Sequence, residues 1–301
     1  MNDQDLVGKI QKKALGVYKE FKAICDEHGL RYYSSGGTTI GAVLHHGIIP
    51  WDDDIDINMP RPDYERFKQI AKRELPGWLD IIDGETDPYA DFHFIKLHDT
   101  RTMYTSTVMM DFPESYNGIF IDIEPIDGAP DDENERKRFY EKIDKWRKQD
   151  LARKFTTYLH REVMSDLVGQ HEWMWPLYAC YLRLFPRNYF AKKHIKLFKK
   201  YPFNTSRYVA FSLYNISHPD SFPRKLQQAN WGDGIEFPFE DTTIKVPGDY
   251  EKLMVAQYGF LPTKKTQEQY IASYHHLQNA IIDPERSYKE YQEETVNRLR
   301  G

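Results

Sequence analysis

Four acidic residues crowd into five positions, Asp52-Asp53-Asp54-Ile55-Asp56, and any fold of this chain has to accommodate them. Carboxylates that close repel one another unless solvent or a cation intervenes. Asp54 and Asp56 alternate with Ile55 and Ile57, the pattern of a half-buried strand, so residues 48–60 are predicted to form a strand closed by Pro60 and Pro62. On such a strand Asp54 and Asp56 share one face, about 6.5–7 Å apart at their Cα atoms, close enough to hold a hard cation together. The alternative is a solvated acidic turn. An EF-hand loop is excluded: Ile57 stands where glycine is needed and Asp63 where glutamate is needed, and Pro60 and Pro62 interrupt the loop.

The flanking segments suggest what the acids face. Leu6, Ile10, Val17, Phe21 and Ile24 recur at helical spacing, and Gly29 supplies a stop. Residues 30–37 read as a short strand running into Gly36-Gly37, and residues 38–47 as a helix with Thr38 near its start and Gly47 at its end. Such a turn can bring backbone N–H groups and the Thr38 hydroxyl to an anion at a helix N-terminus, although a glycine pair alone is often just a tight turn. Asp122, between Ile121 and Ile123, is a further carboxylate in an apolar strand, costly to bury without a partner. Asp127, past Pro125, is read as lying at that strand's end. With β-rich runs at 79–83, 91–99 and 100–110, residues 1–130 read as an α+β core, a mixed sheet flanked by helices. Residues 131–235 read as a mainly helical insertion, and 236–301 as a C-terminal part that packs back on the core and ends in a polar helix.

Composition removes several function classes. Two cysteines in 301 residues, Cys25 and Cys180, cannot build a disulfide framework or a Cys-rich zinc site, and they fit a reducing compartment. A net charge of -5 disfavours a nucleic-acid partner. Neither a secretory leader nor a membrane span is legible, so the expected location is cytoplasmic. Residues 173–200 run from aromatic to basic with no acid, the profile of a segment in peripheral contact with an anionic membrane at its inner face; a buried helical hairpin is the alternative. Lys96 and Arg61 are candidate phosphate partners. Trp51, Tyr89, Tyr104, Trp173 and Trp175 are candidates for caging a quaternary ammonium group, with core packing as the competing explanation.

The run from Gly36-Gly37-Thr38-Thr39 through Leu44-His45-His46-Gly47 to Pro50-Trp51-Asp52-Asp53-Asp54-Ile55-Asp56, with Met59-Pro60-Arg61 and Asp63-Tyr64 after it, resembles the LicD family of phosphorylcholine transferases, a group that includes fukutin and its relatives. Phe120-Ile121-Asp122-Ile123 and Pro125-Ile126-Asp127-Gly128 resemble a second family block, and Phe239-Glu240, Pro247, Tyr250-Glu251 and Tyr258-Gly259 a third. The resemblance implies a nucleotidyltransferase-like fold in which Asp54, Asp56 and Asp122 surround Mg²⁺ or Mn²⁺. It implies that the Gly36-Gly37 turn adjoins that metal; with it, Thr38, Arg61, Lys96 and Trp51 are the candidate substrate-binding residues. The implied reaction moves phosphocholine or a polyol phosphate from CDP-choline or another CDP-alcohol to a hydroxyl of a glycan, lipopolysaccharide or teichoic acid precursor. Two other classes share the same motifs: a nucleotidyltransferase that uses an NTP, and a catalytically silent binding module.

Overall fold

The computed structural model describes residues 3–110, 112–154, 172–210, 227–264, 277 and 280–300, and the chain divides into two compact units. Unit 1 comprises residues 1–82, 95–126 and 228–301; unit 2 comprises 83–94 and 127–227.

In unit 1, helix α1 (Asp3–His28) buries Ile10, Val17, Phe21 and Ile24, the stripe predicted from their spacing. Phe21 meets Tyr32 and Phe67 edge to face, and removing such a ring from a packed core costs about 3–5 kcal/mol. Strand β1 (Tyr33–Ser34) leads into helix α2 (Gly36–His45), then strand β2 (Asp56–Pro60) and helix α3 (Arg61–Glu74), with Pro62 in the first turn of α3. Strands β3 (Leu79–Asp83), β4 (Ile95–Asp99), β5 (Met103–Ser106) and β6 (Phe120–Ala129) follow. The sheet order is β1-β2-β6-β4-β3, with β2 parallel to β6 and antiparallel pairing of β1 with β2 and of β6 with β4. The architecture is α+β with a mixed sheet.

Three local expectations change. The acidic strand begins only at Asp56, which leaves Asp52 to Ile55 as irregular chain ahead of it. Strand β6 runs on through Pro125, because Met59 pairs opposite that proline in a parallel ladder, so Asp127 lies inside the strand and not beyond its end. Helix α2 stops at His45, with His46 in the left-handed region at φ 56°. At Gly47 a Cβ would sit 2.2 Å from Glu240 Oε1, so a side chain there would push the Glu240 carboxylate aside.

Gly41 faces a harder constraint, since its Cβ would lie 2.5 Å from the Gly47 carbonyl oxygen, a backbone atom. Helix propensity favours alanine by about 0.5–1 kcal/mol, whereas forcing a methyl against fixed backbone costs about 1–3 kcal/mol. Gly41→Ala is therefore expected to lower the urea unfolding midpoint. A raised midpoint would show that the 46–49 turn yields freely.

Unit 2 is built on helix α4 (Glu133–Lys154), which buries Phe139, Tyr140 and Ile143 against Ala129, Phe198 and Ala210. Helices α5 (Trp175–Arg183) and α6 (Tyr189–Phe198) complete a second cluster around Ala152, Leu182 and Phe190. Strand β7 (Tyr208–Ala210) pairs with residues 127–129. A buried ionic knot ties the unit together. Asp150 contacts His93 Nε2 at 3.0 Å and Lys154 Nζ at 2.7 Å, and accepts a hydrogen bond from the Ala191 N–H at 3.0 Å. Burial would raise the Asp150 carboxyl, but these partners outweigh it and hold the group below its usual range. Of the expected insertion, residues 155–171 and 211–226 lie outside the described residues.

The C-terminal part of unit 1 contains the hairpin of β8 (Ile235–Phe239) and β9 (Thr242–Val246), helix α7 (Tyr250–Tyr258), strand β10 (Ala280–Asp283) paired with β5, and helix α8 (Tyr288–Arg300).

Candidate functional site

Strand pairing sets the site. Asp56 stands opposite Asp122 across the parallel β2–β6 pair, and Lys96 stands opposite Asp122 across the antiparallel β6–β4 pair. Directly opposed residues in neighbouring strands project to the same face, so two carboxylates and one ammonium group form a row across three strands. Lys96 Nζ donates to both Asp122 oxygens, at 2.7 and 3.0 Å, and lies 3.4 Å from the centre of the Phe120 ring. Lys96 thus has a half-buried place between a carboxylate and an aromatic face.

The glycine turn is fastened to the same strand. The Ser35 N–H donates to the Asp56 carbonyl at 3.0 Å, and the Asp56 N–H donates to Thr38 Oγ1 at 2.8 Å. Thr38 therefore anchors the first turn of α2 to the acidic strand. The Ser34 and Thr39 hydroxyls pair at 2.8 Å behind it. At Gly37 a Cβ would stand 2.8 Å from Asp52 Oδ2, so any side chain there would displace the Asp52 carboxylate. Gly36, at φ 48°, opens the helix.

The irregular run ahead of β2 is held from several sides. Gln11 of α1 donates to the Ile49 and Asp52 carbonyls at 3.0 and 2.8 Å, and the Asp122 N–H donates to the Ile55 carbonyl at 3.0 Å. Glu240 accepts from the Ile48 N–H at 3.0 Å while its own N–H donates to the His46 carbonyl at 2.9 Å. Tyr104 donates its hydroxyl to Asp53 Oδ2 at 3.0 Å and packs edge-on against Phe120. Burial first, and then the Asp53 charge, push the Tyr104 phenol well above its usual range, so it stays a donor.

The electrostatics follow from this crowding. Burial, then the Asp56 carboxylate and then Asp52, raise Asp54 well above the ordinary carboxylate range. Burial and Asp122 lift Asp56 to about 8, with Lys96 pulling the other way. Single oxygens of Asp52, Asp53 and Asp54 lie within 4.8 Å of one another. A hard divalent cation, which prefers oxygen donors and neutralises this repulsion, fits that set. Asp52 and Asp53 join the group because the chain bends ahead of the strand, a feature that strict strand alternation conceals. Among the described residues the other such cluster is Glu27, His28 and Glu74, where His28 and Glu74 already pair at 2.7 Å.

The remaining candidates occupy varied places. Arg61 lies over the Tyr64 ring at 5.0 Å and donates to Glu65 at 3.2 Å, engaged with its own helix. Trp51 is half-buried beside Ile40, Ile49 and Met254, edge-on to His45 at 6.0 Å. Tyr89 belongs to unit 2 and carries the Arg187 guanidinium at 4.1 Å. Trp173 and Trp175 also belong to unit 2. Gln11 and Glu240 act through backbone contacts that no local sequence pattern announces.

Comparison with known proteins converges on the same region. Residues 29–160 match the family described as LicD/FKTN/FKRP, nucleotidyltransferase domain. The chain is 28% identical over 282 residues to the lipopolysaccharide cholinephosphotransferase LicD of Haemophilus influenzae, covering 90% of this chain and 96% of that protein. An uncharacterized protein of Rickettsia prowazekii is 40% identical over 120 residues, 35% of this chain and 43% of its own length. Human ribitol 5-phosphate transferase FKRP is 33% identical over 57 residues, 19% of this chain and 12% of its own.

Proposed function

We propose that the chain, whose residues 29–160 match the LicD/FKTN/FKRP nucleotidyltransferase family, is a phosphoalcohol transferase. It moves phosphocholine or a polyol phosphate from a CDP-alcohol to a hydroxyl of a lipopolysaccharide, teichoic acid or other cell-surface glycan precursor, releasing CMP. The observation that carries the reading is the row of Asp56, Asp122 and Lys96 beside the glycine turn that opens α2. The full-length similarity to a cholinephosphotransferase and the shorter match to a ribitol phosphate transferase support a phosphoalcohol as the transferred group.

The acceptor hydroxyl oxygen attacks the β-phosphorus in line. The bond from that phosphorus to the bridging oxygen breaks, and its electron pair leaves with CMP. The grouped oxygens of Asp52, Asp53 and Asp54, with Asp56 at the start of the next strand, would hold Mg²⁺ or Mn²⁺. When bound, such an ion polarises the phosphoryl group and neutralises charge on the leaving diphosphate oxygen. Asp122 serves the same site, as a further ligand or as acceptor of the hydroxyl proton. Lys96 gives the phosphoryl oxygens a positive partner that Asp122 and the Phe120 ring keep in place. The N–H groups at the Gly36-Gly37 turn offer donors to a phosphate at the helix start.

Donor screening tests the reading. With a glycan acceptor and Mg²⁺, CDP-choline or CDP-ribitol is expected to yield CMP together with a new phosphodiester. Release of pyrophosphate from an NTP, with no turnover of any CDP-alcohol, would replace it with nucleotidyl transfer.

A further inference from the structure

Helix α5 has two unlike faces. Trp175, Tyr178 and Leu182, at steps of three and four, turn inward: Leu182 is fully buried with Ala152 and Phe190, and the two aromatic rings pack on that cluster. Trp173 in the short 3-10 turn just before α5, Leu177 and Tyr181 on α5, and Leu184 at its C-terminal cap follow at steps of four, four and three on the outward side. They are 72%, 65%, 47% and 79% exposed. Apolar residues scattered singly on a surface are ordinary; four large ones in a single stripe mark an interaction site.

Charge identifies the partner. Between Trp173 and Lys200 the sequence contains no Asp or Glu. Helix α6 buries Phe190, Ala191, His194, Ile195 and Phe198 and keeps Lys192, Lys193 and Lys196 exposed; Arg183 is exposed at the end of α5. A second copy of this chain would bring the same bases into mutual repulsion across the stripe. An anionic bilayer instead supplies apolar depth for the rings and leucines and negative headgroups for the bases. At nine residues, α5 is about 14 Å long, too short to cross a bilayer but suited to lying in its interface. No helix among the described residues is long and apolar enough to cross a membrane.

We propose that the Trp173–Leu177–Tyr181–Leu184 stripe, flanked by the bases of α5 and α6, docks on the surface of an anionic phospholipid bilayer. The docking holds the chain at the membrane without insertion, and it does not depend on the reaction assigned to unit 1.

The test uses the full chain with phosphatidylcholine vesicles, with and without phosphatidylglycerol. At low salt the chain is expected to sediment with the anionic vesicles and not with pure phosphatidylcholine, and added salt weakens the binding. Combining Trp173→Ser, Leu177→Ser and Leu184→Ser is expected to reduce partitioning about a hundredfold or more. Lys193→Gln with Lys196→Gln is expected to reduce it roughly twentyfold. A blue shift of tryptophan emission on binding should vanish in Trp173→Phe, a readout that needs no disruptive variant. Absence of binding to anionic vesicles at low salt overturns the proposal, as does equal binding by the triple serine variant. So does a wild-type dimer that the triple variant dissociates, which would show that a second copy covers the stripe.

Discussion

Replacing Asp54 or Asp56 by asparagine is expected to reduce transfer from a CDP-alcohol by about 10²–10³-fold or more and to leave the chain folded. Asparagine keeps the shape and removes the charge, so the loss reports on holding a cation and on phosphoryl chemistry. The same change relieves repulsion within a half-buried cluster that already raises both acids above the usual carboxylate range. The unfolding midpoint of each variant, measured without divalent ions at neutral pH, is therefore expected to equal or exceed that of the wild type. Retained transfer in both variants would remove these residues from the chemistry. Lost transfer with a collapsed midpoint would instead make them structural.

Stability should fall with rising pH in a defined window. Asp56 moves from the usual 3.8 to about 8 in the folded chain. Between those values the folded state keeps a proton that the unfolded state has released, so stability declines as pH rises from about 4 to about 8. Other carboxylates titrate in the same range, so the measurement is the difference between thermal midpoints of the wild type and Asp56→Asn across pH. That difference should widen, in favour of the variant, up to about pH 8 and then level off. Saturating Mg²⁺ reverses it, since an ion bound only to the folded wild type contributes about 2.7 kcal/mol at a hundred times its dissociation constant. A flat difference curve, with no effect of Mg²⁺, would mean that the carboxylates do not share a buried field.

Much of this organisation is legible in the residues themselves. The period of Ile10, Val17, Phe21 and Ile24 fixes α1 and its buried face, and the alternation of Ile121, Asp122 and Ile123 places a carboxylate in a central strand. The register that sets Asp56 and Lys96 on either side of Asp122 is not legible, because it depends on strand order across 66 residues of chain. The bend at 52–55 escapes for a related reason. Its backbone is held by Gln11 from α1, and the turn before it by Glu240, contacts between segments remote in sequence. The aromatic residues divide between roles: Tyr104 serves a carboxylate, Phe120 backs Lys96, and Trp173 faces outward. His46 shows the limit of local rules, since its left-handed backbone ends α2 where glycine is the expected residue.

The most direct test of the central claim is a crystal of the full chain soaked with CDP-choline and Mg²⁺. The ion is expected on oxygens of Asp54 and Asp56, with the donor diphosphate between it, Lys96 and the Gly36-Gly37 turn. A well-ordered donor bound elsewhere, or Mg²⁺ held only by Glu27, His28 and Glu74, would contradict it.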